Sequence, residues 1–148
     1  MKKYSSSVLR IGIALVFLWF GTQQIIDPSA WVGYIPEGIV DIFSLSALKL
    51  VYLNGLFEIV FASALLLGYF TRFSALLLAL HMLDITYVVG FDAIGVRDFG
   101  LAIATVAIFM NGPDLFSLDY FRKGGSLKVE YRNITDGTEG TVAVDKLN

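Results

Sequence analysis

The residues with chemical potential stand where an apolar chain can least easily hold them. Glu58 lies midway along one hydrophobic run, and Asn54 precedes it by four residues, so on a helix the two share a face. His81, Asp84 and Tyr87 follow one another at intervals of three in a second run, again forming one helical stripe. Gln23 and Gln24 close the first run of the chain, while Arg97 and Asp98 open the last. Ionisable groups inside a membrane span are costly, so each is a candidate for function by default. An imidazole titrates near neutrality and suits proton transfer, and a nearby carboxylate can serve as its partner. Glu58, His81 and Asp84 are therefore the candidate catalytic residues, with Gln24, Asn54, Tyr87, Arg97 and Asp98 as candidate ligand contacts. A metal site is not expected, because the chain has one histidine and no cysteine. The lack of cysteine also excludes disulfides and thiol relays through this chain.

Each of these residues has a structural reading too. Glu58 paired with His81 or Arg97 would hold helices together with no further role, as interhelical polar pairs commonly do. Asp98 at a helix start would act as a cap on the helix dipole. Arg10 and Lys49 would snorkel to the membrane interfaces. Gly12, Ala14, Ala62, Ser63, Ala102 and Ala104 read as close-packing positions.

The elements that must position these groups are membrane spans. The chain has 148 residues, of which 56% are hydrophobic and only 16% charged, with a mean hydropathy of +0.70; soluble domains carry about a quarter charged residues. About 20 apolar residues cross the hydrocarbon core, and four stretches qualify: Val8 to Ile26, Ser46 to Gly68, Phe73 to Gly90, and a shorter one from Asp98 to Gly112. Because open sheet edges do not survive in lipid, these are helices. The first is a retained helix, not a cleaved leader, since Arg10 interrupts its apolar region and Gln23, Gln24 and Ile25 stand where small residues would mark cleavage. The fold class is an all-α membrane protein, a bundle of four transmembrane helices. The net charge of −2 excludes a nucleic-acid partner; the expected partner is the lipid bilayer, with a protein subunit or a second copy of the chain left open.

Charge placement sets the orientation. Lys2, Lys3 and Arg10 lie at the start, Arg72 between spans two and three, and Arg122, Lys123, Lys128 and Arg132 after span four. The opposite loops hold Asp27, Glu37, Asp41 and Asp92 against only Lys49 and Arg97. Basic loops stay inside, which puts both termini in the cytoplasm and the protein in the cell membrane. Gln24, Asn54, Asp84, Tyr87, Arg97 and Asp98 then fall in the outer half, with Glu58 and His81 below them as a floor. The inner half carries only Arg10 near its edge. An outward-opening polar pocket lined by all four helices follows, and with it no room for a continuous pore.

Between the spans, Asp27 to Leu45 carries Trp31, Tyr34, Pro36, Ile39, Val40 and Phe43, a segment fit to lie on the outer headgroups. Residues Asp114 to Phe121 read as an amphipathic helix on the inner interface. Residues 1–123 thus form the membrane domain and 124–148 a cytoplasmic tail, with alternation around Val129 and Thr141 that fits a β-hairpin or a loosely ordered end.

Several motifs carry a family resemblance. Leu9-Arg10 with Leu18-Trp19-Phe20-Gly21, Asn54-Gly55-Leu56-Phe57-Glu58, Leu67-Gly68-Tyr69-Phe70-Thr71-Arg72 and Arg97-Asp98-Phe99-Gly100 resemble the DoxX/DoxD-like family of small four-helix membrane proteins, over roughly Val8 to Asn111. The resemblance implies a four-helix bundle and a link to membrane redox chemistry: one branch is similar to a quinone-reducing thiosulfate oxidoreductase subunit, and others accompany thiol or sulfur metabolism. It marks Arg10, Glu58, Arg72, Arg97 and Asp98 as motif positions, adding Arg10 and Arg72 to the candidate ligand contacts. No cofactor is built in, a quinone is the carrier implied, and any thiol or sulfur chemistry must reside in a partner or the substrate. The functional expectation is an oxidoreductase-associated subunit with an outward polar pocket. The alternative is a non-catalytic scaffold or a binding protein for a small solute or lipid.

Overall fold

A computed structural model describes residues 2–35, 38, 40, 44–90, 92–122, 124, 129–132 and 139–142. Four long helices make the body: α1 (Lys2–Ile26), α2 (Ala47–Leu67), α3 (Thr71–Val89) and α4 (Ala93–Asn111). At about 1.5 Å per residue even the shortest, with 19 residues, spans close to 30 Å, the thickness of a hydrocarbon core. All four are long and apolar enough to cross a membrane, so the chain is a multi-pass helical membrane protein. They run alternately up and down, placing the start of α1 and the end of α4 at one end, the terminal end. Ile26, Ala47, Val89 and Ala93 mark the far end.

Packing is pairwise. α1 lies mainly on α2 and α3 on α4, and the two pairs meet through α2–α3 and α1–α4. Between them sits a core of small and large side chains: Ile13, Ala14, Phe17, Ala62, Leu65, Ala75, Leu78, Met82, Ala102 and Ile108. Large apolar residues such as Leu53, Leu56, Val60, Leu80, Ile103 and Met110 face outward, the arrangement a lipid solvent selects. The α1–α2 crossing is closest at Gly21 and Gly55. A Cβ on Gly21 would stand 2.8 Å from the Gly55 carbonyl, and one on Gly55 would stand 2.9 Å from the Gly21 carbonyl. Backbone approach of this kind is how helices gain dispersion contact where no hydrophobic force drives them together.

The span boundaries differ from those read in the sequence. α1 begins at Lys2 and α4 at Ala93, five residues before Asp98. Asp92 is the N-cap of α4, its Oδ1 accepting from the amides of Ile94 at 2.9 Å and Gly95 at 2.8 Å, so capping is not the role of Asp98. The interfacial helix expected over Asp114 to Phe121 is reduced to α5 (Leu118–Arg122), preceded by a turn. Pro28–Tyr34 forms a 3-10 helix at the far end. The aromatic segment after it lies in part outside the described residues. Two short strands, β1 (Val129–Arg132) and β2 (Glu139–Val142), pair antiparallel with Val129 opposite Val142; the Asp136-Gly137 turn lies outside the described residues.

Candidate functional site

Two polar clusters lie in this apolar body, one at each end. The far-end cluster is built on Glu58, which α2 turns inward and leaves 1% exposed. Its Oε2 accepts from the Gln24 amide at 3.2 Å and its Oε1 from the Asn54 amide at 3.2 Å. Nε2 of His81 lies 3.3 Å from the same Oε1. Asn54 also donates to Gln24 Oε1 at 2.7 Å, closing a ring of hydrogen bonds between α1 and α2 to which His81 joins α3. The geometry has a local cause: Asn54 and Glu58 are one helical turn apart on α2, and the glycine crossing brings Gln24, three residues beyond Gly21, onto that turn. The Phe57 ring packs against the imidazole, its centroid 4.9 Å away and its plane tilted by 48°. A half-satisfied polar network in low dielectric is worse than none, and here no buried side-chain polar atom among the described residues lacks a partner.

α4 adds a second carboxylate. Asp98 is 3% exposed and its Oδ1 accepts from Arg97 Nε at 2.7 Å. The Arg97 guanidinium lies 4.9 Å over the Phe20 ring, a cation–π contact that holds it against α1. Glu58, His81 and Asp98 all line one cavity of about 730 Å³ at the far end, with walls that include Trp19, Phe20, Trp31, Tyr34 and Phe57. Trp31 packs edge-on to Phe20 at 5.8 Å. The 3-10 helix therefore contributes to the cavity wall, a role that no residue spacing signals. A cavity of this size with apolar walls and a few convergent polar groups is the usual form of a small-molecule site.

The terminal-end cluster is centred on Arg10, the side chain expected to snorkel. It does not: it is 1% exposed and buried in the bundle. Its Nε lies 2.6 Å from Asp114 Oδ2 and its Nη2 3.2 Å from Oδ1. Nη1 donates to the carbonyls of Leu65 at 2.8 Å and Leu66 at 2.6 Å. These carbonyls belong to the last turn of α2, where unpaired acceptors and the negative end of the helix dipole call for a cation. Ser7 Oγ donates to Asp114 Oδ1 at 2.7 Å, as does the Phe116 amide at 3.0 Å. Burial works to raise the Asp114 pKa, but the hydrogen bonds from Arg10, Ser7 and Phe116 outweigh it and hold the carboxyl below the usual range. The terminal end is thus polar and packed, which corrects the expectation of an apolar inner half with Arg10 at its edge.

Asp119 completes this end. It accepts from the Thr71 amide at 2.7 Å, the Thr71 hydroxyl at 3.0 Å and the Phe70 amide at 3.1 Å, capping α3 from another element. Burial raises its pKa, the Thr71 and Phe70 hydrogen bonds lower it more, and the carboxyl lies below its ordinary value. The αL conformation of Phe70, φ 47°, is sustained by that cap and by Arg122 over the Phe70 and Tyr69 rings. Gly68 ends α2 in the left-handed region at φ 67°, and a Cβ there would collide with Ser117.

The candidate residues from the sequence are thus divided by the structure. Glu58, His81, Gln24, Asn54, Arg97 and Asp98 come together at the far-end cavity, and Asp84 lines it with an exposed side chain. Tyr87 does not join them; it is 87% exposed on the outside of α3. Arg10 and Arg72 stand at the opposite end, Arg72 against Gly112. Asp114, which anchors Arg10, is not among the sequence candidates, because its stretch reads as an interfacial helix and its partner stands 104 residues away.

A family model for DoxX matches residues 6–90. The chain belongs to the DoxX family. Neither a comparison with curated proteins nor one with solved structures finds a match. The part that matches DoxX holds Arg10, Gln24, Asn54, Glu58, Arg72 and His81, so the hydrogen-bonded ring around Glu58 lies wholly within it. Arg97 and Asp98, and the Asp114 partner of Arg10, lie beyond the match.

Proposed function

We propose that this DoxX protein is a redox-associated subunit of the cell membrane that binds a lipid-soluble carrier, a quinone or a molecule of similar shape, in its far-end cavity. The observation that carries the reading is Glu58: a carboxylate buried to 1%, held by Gln24, Asn54 and His81, on the wall of an aromatic-lined cavity of about 730 Å³. A purely structural carboxylate would be expected to lie in packed protein, not beside open volume. The aromatic walls accept a flat ring and the polar floor offers hydrogen bonds and a proton route through His81 and Glu58. By the distribution of basic residues both termini are cytoplasmic and the cavity opens outward. Any thiol or sulfur chemistry would reside in a partner subunit or in the substrate, since the chain has no cysteine.

The test is mass spectrometry of small molecules extracted from gently purified protein, wild type against Glu58→Gln. A quinone or related ring compound found with the wild type and depleted in the variant supports the reading and places it beside Glu58. Bulk phospholipid alone in both would favour the alternative, a non-catalytic scaffold, and turn the search to protein partners.

A further inference from the structure

At the terminal end the acids are satisfied within the protein and two of the bases are not. Asp114 accepts from Arg10, Ser7 and the Phe116 amide. Asp119 accepts from the amide and hydroxyl of Thr71 and from the Phe70 amide. Both carboxylates therefore act inward, and so does Arg10, held by Asp114 and two carbonyls of α2. Arg72 and Arg122 differ. Both are exposed, and neither guanidinium has a hydrogen-bond or ion-pair partner among the described residues. Arg122 lies over the Tyr69 and Phe70 rings at 5.4 Å and 5.9 Å, and Asp119 feels its charge without a hydrogen bond. Arg72 lies against the end of α4, where a Cβ on Gly112 would stand 2.6 Å from its Nε and 3.1 Å from its Nη2. Two planar forks of N–H donors, each made to meet phosphate or carboxylate oxygens, thus remain unused at this end.

Their surroundings say which acceptors reach them. Tyr69, Phe70 and Phe73 at the α2–α3 turn, and Phe116, Leu118 and Phe121 on and before α5, are all exposed. Arg72 is the second residue of α3, so it stands at the boundary of a span, where hydrocarbon gives way to headgroups. An acidic partner from solution would leave the rings in water. A lipid leaflet takes rings into its acyl boundary and presents phosphate oxygens at the depth of the cations. Lys2 and Lys3 open α1 at the same end and add charge of the same sign. We propose that the terminal end binds anionic phospholipid headgroups, with Arg72 and Arg122 donating to their oxygens and the aromatic collar seated among the acyl chains. Net charge does the selecting, because a zwitterionic headgroup brings an ammonium that cancels the attraction. This site stands apart from the far-end cavity and is independent of what that cavity holds.

The experiment is a thermal-shift titration of the full-length protein in an uncharged detergent. The probes are dioctanoyl phosphatidylglycerol, dioctanoyl phosphatidylcholine, glycerol phosphate and a short polyglutamate peptide. Phosphatidylglycerol is expected to raise the melting temperature with a half-saturating concentration about tenfold or more below that of phosphatidylcholine. Arg72→Gln and Arg122→Gln should each raise the phosphatidylglycerol midpoint about fivefold and leave the phosphatidylcholine response unchanged. Arg72→Lys, which keeps the charge, should keep most of the preference. Arg122 makes only ring contacts among the described residues, so its variant carries the test even where Arg72→Gln folds poorly. Equal response to the two lipids, or an unchanged preference in the Gln variants, overturns the proposal. A response to glycerol phosphate as strong as that to phosphatidylglycerol overturns it in favour of a free-phosphate site. A response to polyglutamate alone overturns it in favour of an acidic protein segment.

Discussion

Arg10 and Asp114 are joined by two contacts, Nε to Oδ2 at 2.6 Å and Nη2 to Oδ1 at 3.2 Å, across 104 residues of chain. Arg10 simultaneously donates to two carbonyls at the end of α2. One side chain therefore ties the first helix, the second helix and the segment after the fourth. The pair is enclosed and supported on both sides, the condition under which a buried ion pair withstands its desolvation.

Removal of either partner strands the other. Arg10→Ala and Asp114→Ala are each expected to cost about 3–5 kcal/mol, because a buried charge loses its counter-charge. The double variant should cost clearly less than the two single losses added together. Thermal unfolding in detergent, followed by the loss of a monodisperse elution peak, measures this; additive losses would show that the two residues are not coupled.

Acid should loosen the terminal end first. Asp114 and Asp119 both have pKa values below the ordinary carboxylate value in the folded protein. Their contribution to stability is whole above that ordinary value, about 3.9, and is lost as pH falls through the depressed folded values. The melting temperature should therefore hold down to about pH 5 and then fall toward about pH 3. Asp119→Asn should melt lower than wild type near neutrality, and the gap should close in acid. A gap independent of pH would mean that Asp119 acts by shape and not by charge.

Close approach at the α1–α2 crossing sets the position of Gln24 over Glu58, and it can be tested by volume. Gly55→Leu has nowhere to place its side chain, with the Gly21 carbonyl 2.9 Å and Gln24 Cβ 3.0 Å from the new Cβ. It should lose about 1–3 kcal/mol and whatever ligand the cavity holds. Gly100→Leu on α4, where nothing lies within 4 Å of an added Cβ, is the control and should leave both unchanged. Equal losses from the two would show that the cost does not come from the crossing, since Gly→Leu by itself raises helix propensity at both positions.

The parts of the molecule that were legible in the sequence are those where one physical demand dominates. Four apolar runs of membrane length became four helices, because lipid leaves the backbone no other way to pair. Asn54 and Glu58 could be placed on one face because a helical turn fixes their relation. His81 could be placed at their depth because alternating spans align. Tyr87 failed for a related reason: three residues per step drifts against a turn of about 3.6, so from His81 through Asp84 the stripe rotates from the cavity to the outside. Arg10 was misread because snorkelling is the rule for a lone cation near a span end. Its exception depends on Asp114, which is over a hundred residues away and opens a turn, and on the α2 carbonyls, which carry no sequence signal at all. Trp31 and Tyr34 were read as headgroup anchors. Their aromatic character is the same whether a ring meets lipid or a cavity, and only the fold of the 3-10 helix distinguishes the two.

Which face of the membrane the cavity meets can be settled with a chain that has no cysteine of its own, since any introduced thiol is a unique label. Ala30→Cys places one on the exposed 3-10 helix at the far end, and Phe121→Cys one on an exposed position of α5 at the terminal end. The basic residues cluster at the terminal end, and such clusters remain on the cytoplasmic side during insertion. A membrane-impermeant maleimide added to intact cells should therefore modify Ala30→Cys and spare Phe121→Cys, with the second site reacting once the membrane is opened. The reverse pattern would put the Glu58 cavity on the cytoplasmic face, where its ligand would have to come from the cell interior or the inner leaflet.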